Sequence, residues 1–254
     1  MSREVRIQRL SWPEIEEAIK AGARTAVICA ASSEQHGPHL PEATDELLGE
    51  ALAVRLAERL GDALVAPVIR PGCSDHHMGF PGTVTISSEL LMQILDAYVE
   101  SLSRHGFERF IVFSSHGGNF PVLKQWQERR QRAGVVVIAD LDAFAEAMLQ
   151  ALRAFGRDDT TIPHADASET AAMLHTHPEL VHMDRAQKGF SGETALSVLQ
   201  ERGLRALSAN GVLGDPVGAT PEMGEAVVDA VVAYLASCVE DAVSAATATK
   251  DQNV

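Results

Sequence analysis

The chain has 254 residues with 21 basic against 35 acidic side chains, a formal charge of −14 that repels phosphate backbones, so no nucleic-acid partner is expected. Hydrophobic residues make up 46%, yet no apolar run approaches the ~20 residues of a membrane span, so no membrane partner is expected either. The length suits one large α/β domain spanning 1–254; the charged start Met1–Arg6 lacks a secretory pattern, and Cys29, Cys73 and Cys238, without metal-type spacing, fit a reduced, cytoplasmic home.

In chain order, residues 11–23 predict a helix with Ser11 as N-cap and Pro13 in its first turn. The apolar, partly β-branched stretch 25–31 predicts a buried strand. Glu34, His36, His39, Glu42 and Asp45 follow at its carboxyl end, where open α/β sheets bind ligands. On an extended chain Glu34 and His36 point to the same side, and the turn forced by Gly37, Pro38 and Pro41 can bring Asp45 back to them. The plainer alternative is a solvated loop, with His39 only packing and Asp45 only serving the amino end of a helix over 45–60.

Residues 64–69 predict a second strand, placed at an edge by Pro67. The loop 72–83 carries Ser74, His76 and His77; on an extended chain adjacent residues face opposite ways, so at most one of the two histidines is expected to address a given site. A helix over 88–105 and a strand over 109–113 lead to His116, Gly117, Gly118 and Asn119, with Asn119 expected to cap a helix over 120–132. A plain strand-to-helix turn explains the glycines and the asparagine but not the histidine. After a strand over 134–139 and a helix to about 155, His164 and Glu169 converge only if His164 precedes a helix that holds Glu169 in its first turns. A capping box between Asp166 and Glu169 is the alternative. Strands alternating with helices predict a parallel sheet covered on both faces.

Residues 177–219 show no strong periodicity, and 188–193 are either a cover over the site or a surface loop. The last helix, over 221–246, clusters Val227, Val228, Ala230, Val231, Val232, Leu235 and Ala236. That is more than one buried stripe, so either the chain wraps it or a neighbouring subunit does. The final eight residues are expected to be disordered.

Glu34, His36, Asp45, His116 and Glu169 supply carboxylates and imidazoles suited to zinc, manganese or ferrous iron. One divalent cation among three buried carboxylates leaves net negative charge, whereas two cations with one bridging hydroxide sum to zero. The residues therefore favour a two-metal centre ~3.5–4 Å across, bridged by Asp45.

Ser33–Pro41 with Thr44–Asp45, Phe80–Thr83, His116–Asn119, His164–Ala165 with Glu169–Thr170, and Gly211 with Gly214–Pro216 together resemble the creatininase family of metal-dependent amidohydrolases over residues 20 to 230. The resemblance implies a three-layer α/β/α sandwich with a mostly parallel central sheet, and homo-oligomers built as hexamers. It also implies Glu34, Asp45 and His116 on one ion, His36, Asp45 and Glu169 on the other, and His164 as the proton shuttle. His39, Ser74, His77, Gly117, Gly118 and Asn119 are taken as substrate-binding candidates. Two departures argue against creatinine as substrate: Gly118 stands where the family's namesake has an acidic ligand, and Thr160–Thr161 where it has a tryptophan. The expected activity is hydrolysis of a C–N bond in a small cyclic amide or formamide. The alternatives are a cyclic polyol ketone, cleaved at a C–C bond, and a scaffold that binds metal or ligand without turnover.

Overall fold

A computed structural model describes residues 3–130, 132–158, 164–192 and 195–251; Thr160–Thr161 and the 193 end of the expected cover lie outside the described residues. The first helix, α1 (Trp12–Lys20), starts at Ser11, whose backbone N–H donates to Glu14 at 2.7 Å. β1 (Thr25–Ala30) is buried at every residue, as its unbroken apolar run requires. α2 (Thr44–Leu60) and the short β2 (Ala63–Val65) follow; Pro67 ends the β2 ladder, leaving only an isolated bridge between Ile69 and Ala30. Ser87 caps α3 (Ser88–Arg104) by accepting from the Leu90 N–H. Then come β3 (Arg109–Ser114), α4 (Phe120–Arg129), β4 (Val135–Val137), α5 (Leu141–Arg153) and α6 (Ala167–Thr176).

All strand pairs are parallel, in the order β2-β1-β3-β4. From β1 the chain moves one way to β2, and from β3 the other way to β4. Right-handed crossovers therefore put α2 on one face and α3 and α4 on the other. The packing agrees: α2, α5, α6 and the last helix lie on one another, and α3 lies on α4. This is the α/β/α arrangement that the resemblance implied. Its reversal point falls between β1 and β3, and a crevice opens there at the carboxyl ends of the strands.

Two expectations change. Residues 177–219 contain two short helices, α7 (Leu196–Arg202) and α8 (Leu204–Leu207), too brief for a period to show in sequence. The last helix, α9 (Pro221–Asp251), runs beyond 246 into the tail expected to be disordered; residues 252–254 lie outside the described residues. Its Val227, Val228, Val231, Val232, Leu235, Ala236 and Val239 are buried against α2, α5 and α6. Helices of the same chain thus cover the wide apolar face, and α9 gives no reason to invoke a second subunit. Among the described residues no helix is long and apolar enough to cross a membrane.

Candidate metal centre and active site

The centre starts at the tips of β1 and β3, where the Ser114 hydroxyl donates to the Ala30 carbonyl at 2.6 Å and ties the two strands together. Beyond β1, the His36 Nδ1–H donates to the Glu34 carbonyl at 3.0 Å, which turns Nε2 inward to 3.1 Å from Asp45 Oδ1. Asp45 sits in the first turn of α2, and the Ser115 hydroxyl donates to its carbonyl at 2.7 Å. One turn on, a Cβ at Gly49 would come within 2.6 Å of Cys29 Sγ and 2.7 Å of Ser115 Oγ, so only glycine lets α2 approach the strands this closely.

Beyond β3, His116 Nε2 lies 3.1 Å from the Cys73 carbonyl and 3.3 Å from Ser74 Oγ. Its Nδ1 faces inward, 3.1 Å from Glu34 Oε1 and 3.3 Å from Asp45 Oδ2. The last carboxylate comes from α6. Asp166 caps that helix, accepting from the Ser168 and Glu169 N–H groups at 2.9 and 3.3 Å. Glu169 does not complete a capping box with it: Glu169 Oε2 accepts from the Ala165 N–H at 2.5 Å and lies 3.8 Å from His36 Nε2.

Three groups of donors result among the described residues, Glu34–Asp45–His116, His36–Asp45–Glu169 and Glu34–His36–His164, each with its donor atoms within 4.8 Å of one another, and Asp45 joins the first two triads. The residues fit a divalent cation. Glu34 Oε2 and Asp45 Oδ2 are buried with no hydrogen-bond partner, a costly arrangement unless a cation meets them. Each triad histidine has its outer nitrogen on a backbone carbonyl and its inner nitrogen toward carboxylates, the orientation of a metal-ligating imidazole.

Electrostatics point the same way. Burial disfavours charge on His36, but the Asp45 carboxylate, with Glu169 and Glu34, outweighs it and lifts the ring to about 10. His116 is likewise opposed by burial and driven well above the usual histidine range, chiefly by Glu34. Burial would raise Glu34, yet His116 and His77 hold it well below the ordinary carboxylate range. Burial, opposed by His36 and reinforced by Asp45 and Asp166, lifts Glu169 to about 8. The positive charge these carboxylates draw onto the imidazoles is charge that a metal ion supplies in place of protons.

Two further histidines share the cavity. His77 Nε2 lies 3.2 Å from Glu34 Oε1, and His164 Nδ1 lies 4.0 Å from the same oxygen. Gln35 organises both. Its amide nitrogen lies 3.2 Å from His77 Nδ1 and donates to the Gly211 carbonyl at 3.2 Å, while its backbone carbonyl lies 3.0 Å from His164 Nε2. Gln35 Nε2 also lies 3.0 Å from His164 Nε2, so either tautomer of that ring meets Gln35; in the one whose Nε2–H donates to the Gln35 carbonyl, with Gln35 donating to His77 Nδ1, His164 Nδ1 is a free base. Burial holds both rings well below the ordinary histidine range, aided at His164 by the nearby His36 charge.

His76 lines the cavity too, its ring stacked on His116 at 5.6 Å between centroids. The extended-chain expectation fails because Asp75–His77 form a 3-10 turn, which aims both adjacent histidines inward. Gln35 and His76 are the site residues that sequence reasoning passed over, although Gln35 lies inside the first motif and could have been found there.

Of the substrate-binding candidates, His77 and Gly117 line the cavity. The other four do not. His39 is buried against α6, its Nε2 2.8 Å from Thr170 Oγ1. Ser74 sits behind His116, hydrogen-bonded to Ser32. Asn119 caps nothing: its carbonyl oxygen accepts from the Cys73 N–H at 2.9 Å and its amide donates to the Ala30 and Ala31 carbonyls at 3.1 and 3.0 Å. Gly118 is walled in, since a Cβ there would lie 2.4 Å from the Cys73 carbonyl and 2.8 Å from the His76 ring. The space that an acidic side chain would need is filled by the loop that holds His116.

The cavity itself measures ≈ 40 Å³ and is lined by these polar groups together with Leu196, Leu199, Leu204 and Leu213. Larger hollows of ≈ 440 and ≈ 560 Å³, along β4 and at the amino end of β2, bring no comparable donor set together among the described residues. Convergence of ligands, not volume, marks the site.

A doubly wound sheet carrying a buried carboxylate–imidazole cluster at its reversal point defines a metal-dependent hydrolase. The chain belongs to the creatininase family: the family model described as creatinine amidohydrolase matches residues 8–239. Among curated relatives, a mycofactocin precursor peptide peptidase of Mycolicibacterium smegmatis is 34% identical over 209 residues, covering 76% of this chain and 75% of that protein. A creatinine amidohydrolase of Pseudomonas putida is 31% identical over 200 residues, covering 73% and 76%. A zinc form of a mutant creatininase superposes with a TM-score of 0.73 at 28% identity, covering 94% of this chain and 98% of that one.

Proposed function

We propose that the chain hydrolyses the C–N bond of an amide at a centre of two divalent cations that share Asp45, zinc first and manganese or ferrous iron as substitutes. The observation that carries this is the pair of buried triads joined at Asp45 and opening on one cavity with His164. Charge supports two ions, because a single dication among Glu34, Asp45 and Glu169 leaves the buried cluster negative. Bound there, such cations supply water acidified from a pKa of 15.7 to about 7 and a polarised carbonyl.

The chain's own residues do the rest. His164, its Nε2–H held by the Gln35 carbonyl, presents Nδ1 to take a proton from the attacking water and return it to the leaving nitrogen. A positioned group of this kind contributes ~10²–10⁴-fold. His77 donates to Glu34 and keeps that carboxylate aimed at the triad. The relatives' names add a small amide and a precursor peptide as substrate types, and both contain a C–N bond of this kind. Homo-oligomeric assembly, as hexamers, belongs to the same proposal and rests on the family alone.

Metal analysis of protein purified without chelator should find close to two ions per chain. Amides, formamides and cyclic polyol ketones are then screened with added zinc or manganese, and an amide should be turned over. Full activity in metal-free protein would sink the proposal, turnover of the ketone alone would move it to C–C chemistry, and metal binding with no turnover of any class would leave a binding protein.

A further inference from the structure

The apolar wall of the cavity is made of leucine. Leu196 and Leu199 lie one turn apart on α7, Leu204 opens α8, and Leu213 comes from the turn-rich stretch before α9. Leu199, Leu204 and Leu213 are all but fully buried. With Phe80, Phe190 and Leu207 they form an apolar cluster of their own, separate from the core around the sheet. The wall is also held in register with the acid–base group, because the Leu213 N–H donates to the His164 carbonyl at 2.9 Å.

The polar side chains of the same segment face elsewhere. Gln200, Glu201, Arg202 and Arg205 are exposed. Arg205 donates to the Gly79 carbonyl at 2.7 Å with its guanidinium over the Phe80 ring, and the Ser208 hydroxyl donates to the Val212 carbonyl at 2.7 Å. Among the described residues, a polyhydroxylated or charged group attached to the scissile bond would find no side-chain donor or acceptor on this wall. Each hydroxyl so stranded costs about tenfold or more in affinity.

Resting on the proposed function, we infer that the substrate carries a branched aliphatic or aromatic group directly beside the scissile C–N bond, and that Leu196, Leu199, Leu204 and Leu213 select it. In a cavity of ≈ 40 Å³ lined by four leucines, any group joined to a carbonyl at the carboxylates and imidazoles meets leucine. A polyol ring and a small polar cyclic amide are disfavoured on the same ground.

Hydroxamates, which chelate metal centres through two oxygens, test this by calorimetry on zinc-loaded protein. Two probes of equal heavy-atom count are compared, 4-methylpentanohydroxamate and 3,4-dihydroxybutanohydroxamate. The branched aliphatic probe should bind about tenfold more tightly or better. Leu199→Ser should reduce that preference several-fold, and Leu196→Ser, at a half-buried position that folding tolerates, should do so to a smaller degree. Equal affinity, or preference for the diol, overturns the inference. So does zinc-loaded protein that binds neither probe, which would leave the metal centre standing. Protein that retains no zinc overturns the proposed function and, with it, this reading.

Discussion

Two pairs of histidines face the same cluster of carboxylates, and that cluster and its neighbours drive them in opposite directions. His36 and His116 have their outer nitrogens on backbone carbonyls and their inner nitrogens 3.1–3.3 Å from carboxylates, and both are driven strongly upward in pKa. His77 and His164 are braced by Gln35, and both are pushed well below the ordinary range. Burial acts on all four in the same direction, so desolvation does not separate them. The separating factor is how many carboxylate oxygens each ring meets and from which side. Carboxylates held against a ring by the backbone make it a ligand, whereas a neutral amide beside it leaves an uncharged base.

Breaking the ligand pair should have the largest effect. Asp45→Ala removes the carboxylate common to both triads, and metal content should fall toward zero by elemental analysis. The affinity loss should exceed the ~10–100-fold that removal of an outer hydrogen bond alone costs. His164→Ala strikes the other pair: kcat should drop ~10²–10⁴-fold while metal content stays at the wild-type level. A His164→Ala protein that loses its metals would instead place that ring among the ligands.

Gln35→Leu sharpens the contrast. Metals should remain, kcat should fall about tenfold or more, and nitrogen NMR should show His77 and His164 no longer confined to single tautomers. Gly118→Asp tests the walled-in glycine. The new carboxylate meets the Cys73 carbonyl that holds His116, so metal affinity should fall, not rise, with a stability loss of ~1–3 kcal/mol in thermal melts. The smallest effect belongs to a histidine outside both pairs. Burial holds His39 at about 4, and among the described residues its only side-chain hydrogen-bond partner is Thr170. Thr170→Ala should leave metals and kcat unchanged and lower Tm by ~2–4 °C, the shift expected for ~1 kcal/mol.

The convergence of Glu34, His36, Asp45, His116 and Glu169 was legible in the sequence because each follows a recognisable strand or opens a recognisable helix. The strand ends at Ala30 and Ser114 deliver Glu34, His36 and His116, and the starts of α2 and α6 deliver Asp45 and Glu169. Hydrophobic period alone locates those boundaries. The base pair was legible only in part, because Gln35 acts through contacts with residues 42 and 129 positions away, which no local pattern records. His76 was hidden by a 3-10 turn too short to have a period, and the leucine wall by helices of seven and four residues. For α9 both covers stayed open in the sequence, because composition shows that a face is apolar but not whose atoms cover it.

The ligand loops leave β1 and β3 side by side, from the paired rung Ala30 and Ser114. Neighbouring strands are ~4.7–4.9 Å apart whatever their side chains, since backbone hydrogen bonds set the spacing. The gap between the Glu34 loop and the His116 loop is therefore a length standard inherited from the peptide backbone itself. Side chains of the strand interiors, such as Val27, Ile28 and Val112, can drift in identity over long times without recalibrating it. The loops above can likewise exchange one wall for another to follow a new substrate while the spacing beneath the ligands stays where the sheet put it.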